Sequence, residues 1–303
     1  MNTMNIVKRL YDYVELPTKL ASVIPFFAAM GFCLFHGYAV NARDSLLFFA
    51  AMLLFDMATT MINNYIDHKQ AGKQGHFSRG IMLALIFCAV LPAALIGLYL
   101  SWLYGPVFLL AGIFCFIVGV AYTFGPMPIS RSPFSELFSG FTMGLVLPFL
   151  VVTINMPPLV ELKFNNWEAL VTFDVFGLIK FLLACAPLVF CISNIMLANN
   201  TCDLQADKAT RYTMPRHIGA KNAVKLFAVL YFLCYIAIAA SWAIGAIPWV
   251  CLFVLLTAVP VFRNVKRFSQ KQVKAETFVL AIKNFLLILA PYALGIFMGA
   301  MLH

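Results

Sequence analysis

The sequence predicts an all-α, polytopic membrane protein with nine transmembrane helices. Of its 303 residues, 63% are hydrophobic and only 11% are charged, whereas soluble domains carry roughly 25% charged residues. The apolar residues form continuous runs of about 20, the length that a helix needs to cross a bilayer. An outer-membrane barrel would instead show alternating segments of about 10 residues. This composition excludes a water-soluble globule, a disordered chain and a disulfide scaffold.

Charged residues divide the chain into the nine predicted spans. Two of the uncharged stretches are long enough for two helices each, and each contains a Gly/Pro turn signal, at Gly105-Pro106 and at 245–248. Asp56 is the one acidic residue inside the second span. The spans lie between Lys19 and Arg43, Asp44 and Asp67, Arg79 and Arg131 (two spans), Glu136 and Glu161, Lys180 and Asp203, Lys225 and Arg263 (two spans), and Lys283 and the C-terminus.

The basic residues predict the orientation. With the N-terminus in the cytoplasm, all but three of the 21 Lys and Arg residues fall in cytoplasmic segments, and the exceptions are Arg43, Lys163 and Lys180. This is the positive-inside pattern of membrane proteins. We therefore assign the net charge of +9 to topology and predict no nucleic-acid binding. Residues 1–303 are predicted to form one integral-membrane domain in the cell membrane; the sequence sets no oligomeric state.

A first cluster of polar side chains ends the second span. At 100° per residue, Asp56, Thr60, Asn63 and Asp67 lie within about 60° of one another on one helix face. Ionisable groups inside a membrane are costly and mark functional sites by default. The sequence therefore predicts a site at the cytoplasmic end of this helix.

A second cluster ends the sixth span. Asn199, Asp203 and Asp207 are spaced four residues apart, so neighbouring members stack on one helix face. Asn63 and Asp67 have the same spacing, which makes the two clusters an internal repeat. Oxygen ligands from two helices, with positions left open for phosphate oxygens, suit Mg²⁺.

Basic residues follow both clusters on the cytoplasmic side. Carboxylates alone favour a cation site, whereas carboxylates flanked by Lys and Arg favour a diphosphate bridged by a metal ion. The positive-inside rule explains any single one of these lysines equally well. A Gly/Pro loop with Tyr122 and Arg131 lies on the same side. The flanking bases are Lys69, Lys73 and Arg79 after the first cluster, and Lys208, Arg211 and Arg216 after the second.

On these motifs the chain resembles the UbiA superfamily of intramembrane aromatic prenyltransferases. Within the superfamily it is most similar to the menaquinone branch, the 1,4-dihydroxy-2-naphthoate polyprenyltransferases. The resemblance covers residue 16 to about residue 225. It is carried by 16–19, by 63–67, by 121–126 with 136–140, and by 199–207 followed by Arg211, Thr213 and Ile218-Gly219.

The resemblance implies nine helices around a central cavity that opens toward the motifs on the cytoplasmic side. It also implies Mg²⁺ as the cofactor, and a polyprenyl diphosphate and an aromatic acceptor as substrates. Carried over by position, the Mg²⁺ ligands are Asn63, Asp67, Asn199, Asp203 and Asp207, of which the three aspartates are the catalytic carboxylates. The expected diphosphate contacts are Lys69, Tyr122, Lys208 and Arg211; Asp56 and Asn64 are expected to serve the acceptor or the structure.

Three positions depart from the branch. Lys73 stands where an acid is usual, Cys202 where Arg is frequent, and Asn64 where an acid is common. The first motif therefore has one carboxylate, Asp67. We hypothesise that Lys73 supplies the diphosphate contact that an arginine at position 202 would make, since an ammonium serves as a point-charge partner of phosphate.

The expected chemistry is attack of an electron-rich ring on the allylic C1 as the diphosphate leaves, with metal and bases stabilising the leaving group. In the naphthoate branch the acceptor's carboxylate is lost and demethylmenaquinone forms. The alternatives are another acceptor (4-hydroxybenzoate, homogentisate or a porphyrin), a cation-coupled transporter that uses Asp56, or an isoprenoid-binding protein without turnover. A transporter predicts a pathway open to both sides, whereas these polar groups gather on one side.

Overall fold

The computed structural model describes residues 3–71, 77–165, 168–206 and 211–302, apart from the side chains of 3–5, 67, 69–71 and 165. The chain is mainly helical and divides into two compact units. Unit one contains residues 1–23 and 41–128, and unit two contains residues 24–40 and 129–303. The first motif thus belongs to unit one and the second motif to unit two.

Unit one consists of helices around the first motif. The break between its last two helices follows from local chemistry, because Gly105 has φ +85° and Pro106 begins the next helix. The elements are α1 (Thr3–Val14), a 3₁₀ turn (Leu16–Lys19), the start of α2 (Leu20–Phe35), α3 (Ala42–Ala71), α4 (Arg79–Tyr104) and α5 (Pro106–Ala121).

The amphipathic helix α1 packs by its C-terminal end against the other helices of unit one. Tyr13 and Val14 are buried against Ala58 and Met61 of α3 and Met82 of α4. Because this contact lies next to the first motif, the N-terminal segment supports the part of α3 that carries the polar cluster.

Unit two contains the second motif, which lies at the end of α8. Its elements are most of α2, α6 (Ser135–Phe141), a π-helical turn (Thr142–Val146), α7 (Leu147–Asn155), β1 (Val160–Asn165), β2 (Glu168–Phe173), α8 (Val175–Cys202), α9 (Met214–Ile218), α10 (Ala220–Ala243), a 3₁₀ helix (Trp249–Thr257), α11 (Ala258–Gln270) and α12 (Phe278–Met301).

Glycines let the helices of unit two approach closely. A Cβ atom at Gly140 would lie 2.0 Å from Ser193 Oγ, and one at Gly144 would lie 2.5 Å from the backbone nitrogen of Val189. A Cβ atom at Gly299 would lie 2.1 Å from Pro248. Small residues spaced four apart are a common device for packing membrane helices, and here Gly140 and Gly144 let α6 and the π-helical turn lie close against α8.

Eight helical segments of the described residues are long and apolar enough to cross a membrane. The remaining predicted span, the second of the two between Arg79 and Arg131, corresponds to α5, an apolar helix of 16 residues, somewhat below the usual length of about 20. Both predicted breaks, at 105–106 and at 245–248, are confirmed as helix ends. The count of nine, the single domain and the cytoplasmic N-terminus stay predictions.

The mainly helical chain also contains one β-hairpin that the prediction of an all-α fold did not include. Residues 160–165 and 168–173 form an antiparallel hairpin in which Val160 pairs with Phe173 and Leu162 with Val171. The paired apolar residues share one face, because side chains alternate along a strand. This period-two pattern is present in the sequence, in a segment that the charged residues predict only as a connection between spans.

Candidate active site

The first motif is held from the side by the loop after α5. The buried Thr123 hydroxyl donates to Asn63 Oδ1 over 3.2 Å. A carbonyl oxygen has two lone pairs, so this bond fixes the Asn63 amide and leaves one acceptor position open. The loop with Tyr122 was predicted beside the motifs, but Thr123 was not singled out. The side chains of Asp67 and Lys69, and all of Lys73, lie outside the described residues.

Asn64 has a structural partner. Its Nδ2 donates to the backbone carbonyl of Tyr13 over 3.0 Å, so the side chain ties α3 to α1. A carboxylate has no N–H to offer at this place, which explains why an amide stands where the family often has an acid. Burial, with a smaller contribution from Tyr65, raises the pKa of the Tyr13 phenol to about 12, so Tyr13 is uncharged at neutral pH.

Asp56 lies in a buried polar network with Lys19. The Lys19 ammonium donates to Asp56 Oδ1 over 2.7 Å, to the Asp56 carbonyl over 2.9 Å and to Thr60 Oγ1 over 2.6 Å. Ser22 donates to the other carboxylate oxygen over 2.6 Å. Lys19 is 3% exposed and Asp56 is 8% exposed. All three ammonium donors and both carboxylate oxygens are thus satisfied, which favours the structural role of Asp56.

The second motif begins at the C-terminal end of α8. Asn199 is half-buried, and Asp203 is the residue that ends the helix, with its N–H on the Asn199 carbonyl at 3.0 Å. The Asp203 carboxylate forms an ion pair with Lys274, which belongs to the loop between α11 and α12. Sequence reasoning did not single out Lys274. Asp207 and Lys208 lie outside the part of the chain that the structure describes.

A buried hydrogen-bonded cluster fixes α8 beside the second motif. Asn200 Nδ2 donates to Glu136 Oε1 over 2.8 Å and to Ser135 Oγ over 3.0 Å. Ser135 donates to Glu136 Oε2 over 2.9 Å, and Ser193 donates to the Glu136 carbonyl over 3.0 Å. Glu136 is only 6% exposed. Because Asn200 adjoins Asn199, this cluster sets which face of α8 carries the motif.

Basic residues line the segment that follows the second motif. The backbone nitrogen of Tyr212 donates to the Arg131 carbonyl over 2.8 Å, so the end of the Gly/Pro loop adjoins this segment. Arg216 donates to the Arg211 carbonyl over 2.9 Å and its guanidinium lies 5.5 Å from the Tyr212 ring centroid. Arg131, Arg211 and Arg216 are therefore brought together by these contacts, and they are candidates for phosphate contacts.

The donor chemistry of the motifs fits a hard divalent cation. Asn63, Asn199 and Asp203 offer oxygen ligands, which Mg²⁺ prefers. Among the described residues, no three His, Cys, Asp or Glu side chains gather as a metal site; the side chains of Asp67 and Asp207 are outside that set. The assignment of Mg²⁺ therefore depends on the type and spacing of the donors.

The UbiA prenyltransferase family model matches residues 22–289. This chain therefore belongs to the UbiA prenyltransferase family and is a prenyltransferase. The resemblance stated from the motifs is confirmed, and a transporter or a binding protein without turnover is set aside.

A curated relative comes from the branch that the sequence indicated. The 1,4-dihydroxy-2-naphthoate octaprenyltransferase of Bacillus subtilis (strain 168) is 29% identical over 304 residues, which covers 91% of this chain and 86% of that protein. A match of that length spans both motifs wherever it begins.

Solved structures share the fold. A digeranylgeranylglyceryl phosphate synthase has a TM-score of 0.68 at 14% identity, covering 98% of this chain and 99% of that chain. A UbiA homologue from Archaeoglobus fulgidus bound to GPP and Mg²⁺ has a TM-score of 0.64 at 14% identity, covering 97% and 99%. At this identity the likeness shows the fold alone.

Proposed function

We propose that this enzyme transfers a polyprenyl group from a polyprenyl diphosphate to 1,4-dihydroxy-2-naphthoate in a Mg²⁺-dependent reaction that gives demethylmenaquinol, the hydroquinone that is oxidised to demethylmenaquinone in a separate step. The observation that carries the proposal is the 29% identity with the Bacillus subtilis octaprenyltransferase, because it extends over 91% of this chain. The structure of the Archaeoglobus fulgidus homologue with GPP and Mg²⁺ supports the choice of diphosphate and metal.

The proposed metal ligands come from both motifs. Asn63 and Asp67 contribute from α3, and Asn199, Asp203 and Asp207 contribute from the end of α8 and the residues after it. When bound, Mg²⁺ stabilises the charge that develops on the leaving diphosphate. Thr123 and Glu136 do not bind the metal in this proposal; they hold Asn63 and Asn200 in place.

The diphosphate is held by basic and polar groups of the chain. Arg211 and Lys208 follow the second motif, Lys69 follows the first motif, and Tyr122 ends α5. An arginine binds phosphate oxygens in a bidentate fork, whereas a lysine acts as a point charge. These contacts offset the negative charge of the diphosphate as the C1–O bond breaks.

The acceptor supplies the electron pair. A ring carbon of the dihydroxynaphthoate forms a bond to the allylic C1, the diphosphate leaves, and the acceptor's carboxylate is released as CO₂. We also propose that the site opens to the cytoplasm and that the protein resides in the cell membrane, since the basic residues cluster on the side of the motifs. Prenylation of 4-hydroxybenzoate, homogentisate or a porphyrin is the competing reaction within the family.

The test is a reconstituted assay with purified protein in lipid nanodiscs. Prenyl diphosphates of different lengths are offered with 1,4-dihydroxy-2-naphthoate, 4-hydroxybenzoate, homogentisate and a porphyrin, and products are identified by mass spectrometry. The proposal expects a prenylated 1,4-naphthalenediol that has lost the mass of CO₂, or the naphthoquinone that oxygen in air forms from it. A prenylated hydroxybenzoate without a naphthoquinone product would reject the assignment of the acceptor and keep the prenyltransferase class.

The metal requirement is tested in the same assay. Activity is expected with Mg²⁺ or Mn²⁺, and it is expected to vanish in excess EDTA and to return when Mg²⁺ is restored, because oxygen ligands select hard cations. Full turnover in EDTA would contradict the roles proposed for Asp203 and Asp207.

A further inference from the structure

Lys274 reaches the second motif from a part of the chain that the motifs do not include. Its ammonium forms an ion pair with Asp203 Oδ2, although the two residues are 71 positions apart. The Lys274 side chain is 54% exposed and that of Asp203 is 18% exposed. Exposed ion pairs contribute little to folding stability, so a purely stabilising role does not explain this contact.

The loop that carries Lys274 is held in a closed turn by hydrogen bonds between its own residues. Lys271 bonds to Glu276 over 2.7 Å, and the backbone nitrogen of Val273 donates to Thr277 Oγ1 over 2.9 Å. The backbone nitrogen of Thr277 donates to the Val273 carbonyl over 2.8 Å. Lys274 therefore stands within a closed turn between α11 and α12, and this turn presents its ammonium to Asp203.

The ammonium has donors to spare for a second anion. A lysine carries three N–H donors, and among the residues that the structure describes, one of them meets an acceptor, Asp203 Oδ2. Asp203 is itself a proposed Mg²⁺ ligand, so a divalent cation and Lys274 compete for the same carboxylate. A cation that carries a diphosphate brings phosphate oxygens to the carboxylate that Lys274 contacts.

We propose that Lys274 is a diphosphate-binding residue of this prenyltransferase. Its ammonium pairs with Asp203 before the metal binds. When Asp203 becomes a metal ligand, the ammonium pairs with an oxygen of the diphosphate instead. This inference rests on the proposed function, in which Asp203 holds the metal. It adds the loop between α11 and α12 to a site otherwise built from the two motifs and the residues that follow them.

The test separates metal binding from diphosphate binding and needs no turnover. Binding of Mn²⁺ alone is followed by electron paramagnetic resonance. Binding of geranyl thiodiphosphate in the presence of Mg²⁺ is followed by calorimetry on the full chain in nanodiscs. Lys274→Ala is expected to weaken binding of the analogue about 10-fold, as for a charge-assisted bond at a partly exposed site. It is expected to tighten binding of Mn²⁺ alone by about 3-fold, because a competitor for Asp203 is lost.

Lys266 gives a matched control. It is an exposed lysine on α11, so Lys266→Ala removes the same charge from the same region and is expected to change neither affinity. Lys274→Arg keeps a cation and is expected to retain most of the affinity for the analogue.

Two results would overturn the inference. The first is that Lys274→Ala binds the analogue as tightly as the wild type does. The second is that Lys274→Ala binds Mn²⁺ more weakly than the wild type does. Lys274 would then position Asp203 for the metal and would not be a diphosphate ligand. If the wild type itself does not bind the analogue with Mg²⁺, the proposed function fails. If the wild type binds the analogue and Lys274→Ala binds it equally well, only the role of Lys274 fails.

Discussion

The Lys19 ammonium lies 2.7 Å from the Asp56 carboxylate, and both side chains are buried two helical turns before Asn63. Lys19 ends the 3₁₀ turn that leads into α2, so the pair ties the start of the first span to α3. The first motif therefore lies on a helix that is fixed by an ion pair at Asp56 and by the bond of Asn64 to α1.

Removing one partner of this pair is expected to destabilise the protein. Asp56→Ala leaves a buried ammonium without its counter-charge, which costs about 3–5 kcal/mol in comparable sites. The measurement is thermal unfolding of the detergent-solubilised protein.

The double variant Lys19→Met with Asp56→Leu is expected to recover most of this loss. Ser22 and Thr60 keep backbone acceptors at 2.9 and 3.1 Å, so no hydroxyl is left unpaired. The surface pair of Lys163 and Glu161 is the control, and Lys163→Met is expected to change stability by less than about 1 kcal/mol. A fully stable Asp56→Ala variant would show that the buried pair is dispensable.

Asn64→Asp is expected to weaken the attachment of α1. The aspartate loses the 3.0 Å bond to the Tyr13 carbonyl and places a carboxylate oxygen opposite it, so the loss is about 1–3 kcal/mol. Asn64→Ala loses the bond without the repulsion and is expected to be the milder change. Limited proteolysis in the segment 3–14 measures the detachment. Unchanged protection together with tighter binding of Mn²⁺ would show instead that an acid at 64 is a metal ligand.

Asp203→Ala is expected to lower turnover at least about 100-fold while the protein stays folded, because losing a metal ligand exceeds the usual effect of an outer-shell change. Asp174 provides the control at the other end of the same helix. It accepts from the Gly177 N–H over 3.0 Å, so Asp174→Ala is expected to cost about 1 kcal/mol of stability and to leave turnover unchanged. Turnover and size-exclusion profiles are measured together. Wild-type turnover in Asp203→Ala would remove Asp203 from the metal site.

Glu136→Leu is expected to lower kcat/KM by changing how tightly the metal binds. The substitution removes the acceptor of Asn200 at 2.8 Å and the partner of Ser135 at 2.9 Å, and it leaves buried donors unpaired. Outer-shell changes typically weaken metal sites about 10–100-fold. Glu136→Gln keeps the acceptor of Asn200 and is expected to be mild. The diagnostic measurement is the concentration of Mg²⁺ at half-maximal activity. A purely structural role of Glu136 would lower Tm and leave this concentration unchanged.

The sequence predicts those parts of the fold that depend on a local signal. Charged residues delimit the spans, and the pair Gly105-Pro106 ends one helix and begins the next, because only the glycine takes φ +85° easily. The hairpin at 160–173 also has a local signal, the alternation of apolar and polar side chains. This signal is weak compared with the long continuous apolar runs that predict the membrane spans. A search for period two within the connections would have found it.

The motifs are visible in the sequence, whereas their supports depend on tertiary contacts. Asn63 and Asp203 stand out because polar groups are rare in apolar helices. Thr123, Glu136 and Lys274 become partners of the motif helices only when separate helices and loops meet, and spacing along the chain carries no trace of that. Lys274 in particular is one of several basic residues after α11 that the positive-inside rule already explains.

The last prediction compares Lys73 with Lys274. Lys73 lies outside the described residues, so its proposed role as the substitute for an arginine at position 202 stays a prediction. Under that hypothesis, Lys73→Ala raises KM for the prenyl diphosphate, leaves KM for the acceptor nearly unchanged, and is partly rescued by Cys202→Arg. Because Asp203 directly follows Cys202 and pairs with Lys274, an arginine introduced at 202 stands next to the contact of Lys274 as well. The measurement is KM for the diphosphate in Lys73→Ala and in Lys274→Ala, each with and without Cys202→Arg. If Cys202→Arg rescues Lys274→Ala but not Lys73→Ala, the compensating charge is that of Lys274. Lys73 is then a loop cation that the positive-inside topology alone explains.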